Sequence, residues 1–273
     1  MIISTAAEAV QNEKYKQSLI ELLYQLADDD FILAYRGSEW LGLAPHIEED
    51  VAFSSINQDT MGHASMFYQL LEDLKEGPID YLAHARPANE RLNAVLLEMV
   101  NGPGTYLIEP KYDWAFTVVR HFFYTVAKKI KIESLKNSSY EPLRHIALKI
   151  NMELYYHLLH WKTWFKQLCI SNDDAKNRMT KAINTVIAEF EGVLSLGPQA
   201  KEMQAHQIIE GEDLLRQRWI NEMKYVFNEI EIPFPSKIEM KSGNGRLKEH
   251  TEDLTEALKT LSEVYRTDPA ASW

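Results

Sequence analysis

One cysteine, Cys169, stands in a chain of 273 residues. That excludes an internal disulfide framework and any cysteine-rich zinc or iron–sulfur site. Glycine and proline are scarce, at 11 and 10 residues, so collagen-like and low-complexity classes fall away. A glycine-rich phosphate loop is missing, and so is a Gly-x-Ser-x-Gly nucleophile elbow. No apolar run approaches the roughly 18 residues that a membrane helix needs. The segment Met1 to Gln17 holds Glu8, Glu13 and two lysines without an apolar core, unlike a signal peptide. Basic residues are outnumbered 29 to 40, for a net charge of -11. A general nucleic-acid binder or an anionic-membrane binder needs the opposite balance. The expected location is the cytoplasm, with no nucleic-acid and no membrane partner.

What is present is apolar sequence with a helical period. Hydrophobic residues make up 45% and aromatic residues 11% of the chain, enough for a sizeable core. Between Gly/Pro breaks the spacing predicts helices at about Glu13–Leu41, Glu48–Lys75, Asn89–Val100, Tyr112–Leu135, Glu141–Leu168, Asp173–Leu196, Glu210–Asn228 and Leu247–Tyr265. Four of them are long, and a long connection, Glu76 to Lys111, separates the second from the third. That order is expected of an all-α, ferritin-like four-helix bundle with a long crossover and additional C-terminal helices. The breaks are short for domain linkers. One ferritin-like domain over 1–273 is expected, with 1–15 as an N-terminal extension and 171–273 as additional helices packed on the bundle.

Polar residues interrupt the apolar stripes. On the second long helix the stripe reads Ala52, Ile56, Asp59, His63, Met66, Leu70, Leu74. On the fourth it reads Leu143, Ile146, Ile150, Glu153, His157 and onward. Glu39 shares a face of the first with Ile32 and Tyr35. Buried ionisable groups cost several kcal/mol unless paired or metal-bound. A di-iron or di-manganese centre takes one Glu from each of two helices and a Glu-x-x-His from each of the other two. Here the pairs are four apart, with Gly62 and Tyr156 where the histidines should stand. The third long helix has no Asp or Glu between Trp114 and Ile132. Its inward candidates are Phe116, Val119, His121, Phe122, Tyr124, Thr125 and Lys128. The expectation is therefore a vestigial, hydrogen-bonded polar cluster of Glu39, Asp59, His63, Glu153, Tyr156 and His157, with no metal and no catalytic residue. The alternative is a di-iron or mono-metal ferritin-like oxygenase or oxidase with its own distorted site; a single metal would use Glu39, Asp59, Glu153 and His157.

The run Arg36-Gly37-Ser38-Glu39-Trp40-Leu41-Gly42-Leu43-Ala44-Pro45 resembles the R-x-x-E-W-x-G-x-A-P motif of the PaaC family. Arg36, Glu39, Trp40, Gly42, Ala44 and Pro45 carry it. Glu153 with Tyr156-His157-Leu158, the Gly-containing turn before Leu247–Leu261 and the terminal Trp273 add to it. The resemblance implies the non-catalytic ferritin-like subunit of a multicomponent phenylacetyl-CoA epoxidase, in aerobic phenylacetate degradation. It also implies that this chain holds no cofactor. The di-iron would sit in a homologous PaaA-like partner, with FAD and iron–sulfur in a reductase. Implied partners are that PaaA-like subunit, or the chain itself as a homodimer when the subunit is absent. The reductase and small subunits would be reached indirectly.

Other chemistry is thinly represented. Cys169, beside Leu168 and Ile170, reads as an inert buried thiol. His84, His145 and His206 read as solvated. Tyr155, Tyr156, Trp161, Trp164 and Phe165 are mostly core by spacing. With Phe122, Phe123 and Tyr124 they exceed what one helix face can bury, which favours a protein partner. A metal-storage protein is disfavoured, because storage also needs an intact metal centre.

Overall fold

The computed structural model describes residues 2–271; Trp273 of the family resemblance lies outside them. The fold is all-α, of the ferritin-like bundle class, and among the described residues only isolated bridges, Ile3 with Tyr140 and Thr105 with Ile108, have extended pairing. The longer helices are α1 (Glu13–Ser38), α2 (Ile47–Asp73), α3 (Trp114–Leu135), α4 (Glu141–Ile170), α5 (Asp173–Ile187), α6 (Glu212–Glu229) and α7 (Glu252–Leu261). None of the described helices is long and apolar enough to cross a membrane.

The helix starts follow local chemistry. Asp113 accepts from Phe116 N and Asn172 from Ala175 N, each satisfying an otherwise orphaned amide. Pro142 occupies the first turn of α4, where its missing N–H costs nothing. Gly42, at φ +76°, supplies the left-handed residue of the turn after α1. Two expected helices are shorter in the structure. Asn89–Val100 is helical only at Ala88–Glu90 and Val95–Glu98, because the amides of Leu92 and Ala94 donate to Asp28 and Asp29 instead. Asp173–Leu196 ends at Ile187 and resumes at Glu191–Leu194, where Glu239 bonds the backbone of Ile187 and Glu191.

The chain forms two compact units, Met1–Leu19 with Asn101–Lys241, and Ile20–Val100 with Ser242–Trp273. The additional helices expected over 171–273 are thus shared between them. In the first unit α3 is the central element, buried along nearly its whole length. It packs against α4, α5 and α6. Phe122 and Phe165 stack at 4.8 Å and Phe190 and Trp219 at 4.4 Å, while the indole of Trp219 donates to Phe123 O. Each such aromatic pair adds about 1 kcal/mol to its burial. The N-terminal segment, which has no role readable from sequence, belongs to this core. Ile3 exchanges backbone hydrogen bonds with Ser139 and Glu141, and Tyr15 is buried against Ser139 and His206.

The second unit combines most of α1 with α2, the connection after α2, and α7. Phe31, Phe53, Phe67 and Leu71 are buried in it. The Gly-containing turn before Leu247 has a structural reason here. A Cβ on Gly245 would lie 1.8 Å from the Asn93 carbonyl oxygen, so only glycine allows that backbone approach.

Candidate functional site

Four of the six residues expected in a buried cluster are not fully buried. On α2, His63 is buried, but Asp59 is exposed. The buried face of that helix includes Phe53, Ile56, Asn57, Thr60, His63, Ala64, Phe67, Leu70 and Leu71, and Asp59 lies outside it. On α4, His157 is buried and Glu153 half-buried, while Tyr156 is 70% exposed. Its buried stripe is Leu143, Ala147, Ile150, Leu154, His157, Trp161 and Phe165. Most of the expected positions are buried all the same, Ile56, His63 and Leu70 on α2 and Leu143, Ile150 and His157 on α4, so the buried faces are wider than the expected stripes and leave Asp59 and Glu153 at their edges. Glu39 is half-buried and its carboxylate accepts from Arg36 at 2.9 Å.

Taken helix by helix, these residues are a poor donor set for a di-metal centre, since Asp59 and Tyr156 are exposed. Among the described residues, no three or more His, Cys, Asp and Glu side chains gather as a metal site. The inward candidates on α3, from Phe116 to Lys128, are all buried. Its buried positions thus hold aromatic rings, a threonine and two lysines, Lys128 and Lys131, and no carboxylate between Trp114 and Ile132. Lys131 donates to the Val193 carbonyl at 2.8 Å. His121 donates from Nδ1 to Thr117 O, and burial with the nearby Arg120 charge holds its pKa well below the ordinary histidine value. Burial raises the Cys169 thiol to about 12, so it stays protonated and unreactive.

The ion network actually buried does not follow from the apolar stripes. It lies in the second unit and is centred on the run Asp28-Asp29-Asp30 of α1. Asp28 accepts from Arg86, from Arg91 at 3.2 Å, from Tyr68 OH at 2.6 Å and from Leu92 N at 2.9 Å. Burial raises its pKa, but the two guanidinium groups and their hydrogen bonds outweigh this and lower it overall. Asp29 binds Arg246 through both oxygens, at 2.9 and 2.7 Å. Such forked Arg–carboxylate pairs fix orientation as well as charge. Three consecutive acids inside an apolar helical stretch were the available signal.

A second buried carboxylate, Glu98, organises the start of α7. It accepts from Asn93 Nδ2, Thr251 N, Thr251 Oγ1 and His250 Nδ1, all within 2.9 Å. His250 Nε2 lies 2.9 Å from the Arg91 carbonyl. Both ring nitrogens face acceptors, so the geometry holds an imidazolium. Burial opposes that charge, yet the Glu98 hydrogen bond and charge, with help from Arg91 O and Asp28, raise the pKa above the usual 6.5. A raised histidine pKa contributes stability that is fully present below the unfolded value and lost as pH rises through the folded one. Urea midpoints of wild type and His250→Gln should therefore differ most near pH 6 and converge in alkali. A constant difference from acid to alkali would show a neutral His250.

His145 is exposed as expected. His84 is instead half-buried, stacked on Tyr265 at 5.5 Å and edge-on to Phe31. The aromatic excess resolves by position. Phe122, Phe123, Tyr124, Trp161 and Phe165 are buried, while Tyr155 and Tyr156 project at 62% and 70% exposure. They join Leu148, Met152 and Leu159, also more than half exposed, on the outer side of α4. Leu148, Met152, Tyr155 and Leu159 follow steps of four, three and four residues. That is the a/d seam of a helix that receives another helix.

Residues 2–273 match the PaaA_PaaC family, described as Phenylacetic acid catabolic protein. The chain is also 27% identical over 250 residues to an Escherichia coli (strain K12) protein that is one of the subunits of 1,2-phenylacetyl-CoA epoxidase. That alignment covers 91% of this chain and 96% of the relative.

Proposed function

Since the chain belongs to the phenylacetic acid catabolic protein family, we propose that it is a scaffolding subunit of a multicomponent bacterial di-iron monooxygenase acting on phenylacetyl-CoA in the cytoplasm. In this reading it carries no catalytic residue. It binds and stabilises a PaaA-like catalytic subunit that holds the di-iron, while a reductase with FAD and iron–sulfur supplies electrons. The likeness to an epoxidase subunit over nearly the full length of both chains supports the place in phenylacetate catabolism. The donor set supports the lack of a catalytic role, since α3 carries no Asp or Glu between Trp114 and Ile132.

The observation that carries the association is the exposed seam on α4. A soluble helix buries its apolar face on its own core, and α4 already does so through Ile150, Leu154, Trp161 and Phe165. A second apolar stripe on the opposite side has no use within this chain. It spans about 16 Å of helix at 1.5 Å per residue, about three turns for a partner helix to pack along. An obligate interface buries on the order of 2,000 Å² or more, so the seam would be its centre rather than its whole extent.

The test is co-expression with a PaaA-like subunit, followed by size-exclusion chromatography and an assay of phenylacetyl-CoA turnover. Co-elution at micromolar concentration is expected. Turnover is expected only when the iron-loaded partner and the reductase are both present. Turnover by this chain with reductase alone would refute the non-catalytic role. Separate elution of two folded subunits would refute the scaffold.

A further inference from the structure

The exposed seam on α4 has charged borders, and most of that charge is of one sign. Leu148, Met152, Tyr155 and Leu159 form its apolar line. From Arg144 to Ile170 the helix carries four basic residues, Arg144, Lys149, Lys162 and Lys166, and one acid, Glu153. Glu153 is half-buried and stands about 130° round the helix from that line. The basic residues stand beside it. Arg144 and Lys162 are separated by about five turns, so they border the same edge of the line, about 27 Å from each other. Lys149 borders the other edge. Lys166 follows Leu159 by seven positions and so continues the line itself.

Internal pairing leaves this border positive. Arg144 and Lys149 form no ion pair or side-chain hydrogen bond with any described residue. Lys162 and Lys166 share one carboxylate, Glu229 of α6, at 3.7 and 3.3 Å. Lys129 of α3 donates to Asn151 Oδ1 at 2.6 Å and is balanced by Glu133 at 3.7 Å. Glu141 lies in the first turn of α4, outside Arg144. With Glu141 counted, five basic residues face three acids along the seam. The excess is local. The unit that contains α4 holds 21 Lys and Arg against 19 Asp and Glu, while the other unit holds 8 against 21.

Charge decides between a second copy of the chain and a different protein. Two copies packed antiparallel about the middle of the seam put Arg144 of each opposite Lys162 of the other. Packed parallel, every basic residue meets its own equivalent. Like charges oppose one another in both senses, and flanking charges are what set partner and orientation in a helical seam. Carboxylates on an incoming helix complement both ends at once.

We propose that the α4 seam takes a helix of a different protein, with an apolar stripe bordered by Asp or Glu about five turns apart, and that its basic border excludes a second copy of this chain. The proposal rests on the seam being an interface, as in the function proposed above.

The probes are two synthetic helical peptides of equal length, with Leu at the seam-facing positions and either Glu or Lys at the bordering ones. Each is titrated into the full chain and followed by fluorescence anisotropy. The Glu peptide should bind about tenfold or more tightly than the Lys peptide at about 0.05 M salt, and the difference should shrink at about 0.5 M as the border is screened. Arg144→Glu/Lys149→Glu should remove the preference. By sedimentation equilibrium that variant should self-associate more strongly than wild type, because antiparallel copies then set each substituted end against Lys162. If the double variant fails to fold, Lys149→Glu alone serves, with an expected loss of about threefold in the preference. Equal affinities for the two peptides, a preference that survives the substitutions, or a wild-type dimer at micromolar concentration that Tyr155→Asp/Tyr156→Asp dissolves would overturn the proposal and leave the seam an interface. Failure of both peptides to bind, together with undiminished binding of a PaaA-like subunit by Tyr155→Asp/Tyr156→Asp, would remove the seam itself and both readings with it.

Discussion

Replacing Asp28 with alanine is expected to cost about 3–5 kcal/mol of folding stability, because it strands two buried guanidinium groups without a counter-charge. Arg91 is wholly buried and Arg86 nearly so, and neither can turn to solvent without undoing the segment that follows α2. The same carboxylate also takes the amide of Leu92, so the change unties the backbone there. A loss of that size is a large part of the roughly 5–15 kcal/mol that holds a domain folded. Urea unfolding followed by circular dichroism should show a midpoint far below that of wild type, or no folded baseline. Asp59→Ala, on the exposed side of α2, should stay within about 0.5 kcal/mol of wild type. Equal midpoints for the two variants would mean that the Asp28 network contributes nothing net. Acid should act in the same direction as the mutation. The Asp28 pKa is depressed, so its stabilisation is present above the unfolded carboxylate value and lost as pH falls through the folded one.

The double substitution Tyr155→Asp/Tyr156→Asp is expected to abolish the proposed association with a PaaA-like subunit while leaving the fold intact. Both rings are mostly exposed and touch each other edge to face at 5.2 Å, so the isolated chain loses little packing. In a complex they would be central aromatic anchors, and losing an anchor costs about 2 kcal/mol or more. Two anchors, with two carboxylates placed in an apolar seam, correspond to a loss on the order of a thousandfold in affinity. Isothermal titration with the iron-loaded PaaA-like subunit measures this directly. An unchanged dissociation constant, with the variant melting like wild type, would move the interface away from α4. Loss of folding in the variant would instead mean that this face is covered within the chain.

Much of the architecture is legible in the residues because it rests on local chemistry. The helical period, the caps at Asp113 and Asn172 and the stops near Gly42 and Pro45 act within a few residues of themselves. The absence of acids from Trp114 to Ile132 is likewise a property of one segment, and it argues against a di-metal site before any contact is known. The aromatic surplus of α3 and α4 is countable, although which rings project is not. Stripe reading failed at Asp59 because a helix face is set by whatever packs on it. Neighbouring positions fit two alternative stripes almost equally well.

Composition and periodicity determined the all-α class, the order of the long helices and the poverty of metal ligands on α3. Only the tertiary structure decided which charges are buried. Asp28 meets Arg86 and Arg91, Asp29 meets Arg246, and Glu98 meets His250 across separations of 58 to 217 residues. No window of sequence contains both members of such a pair. A charge can be buried only where its partner arrives, and chain packing rather than local propensity brings it there.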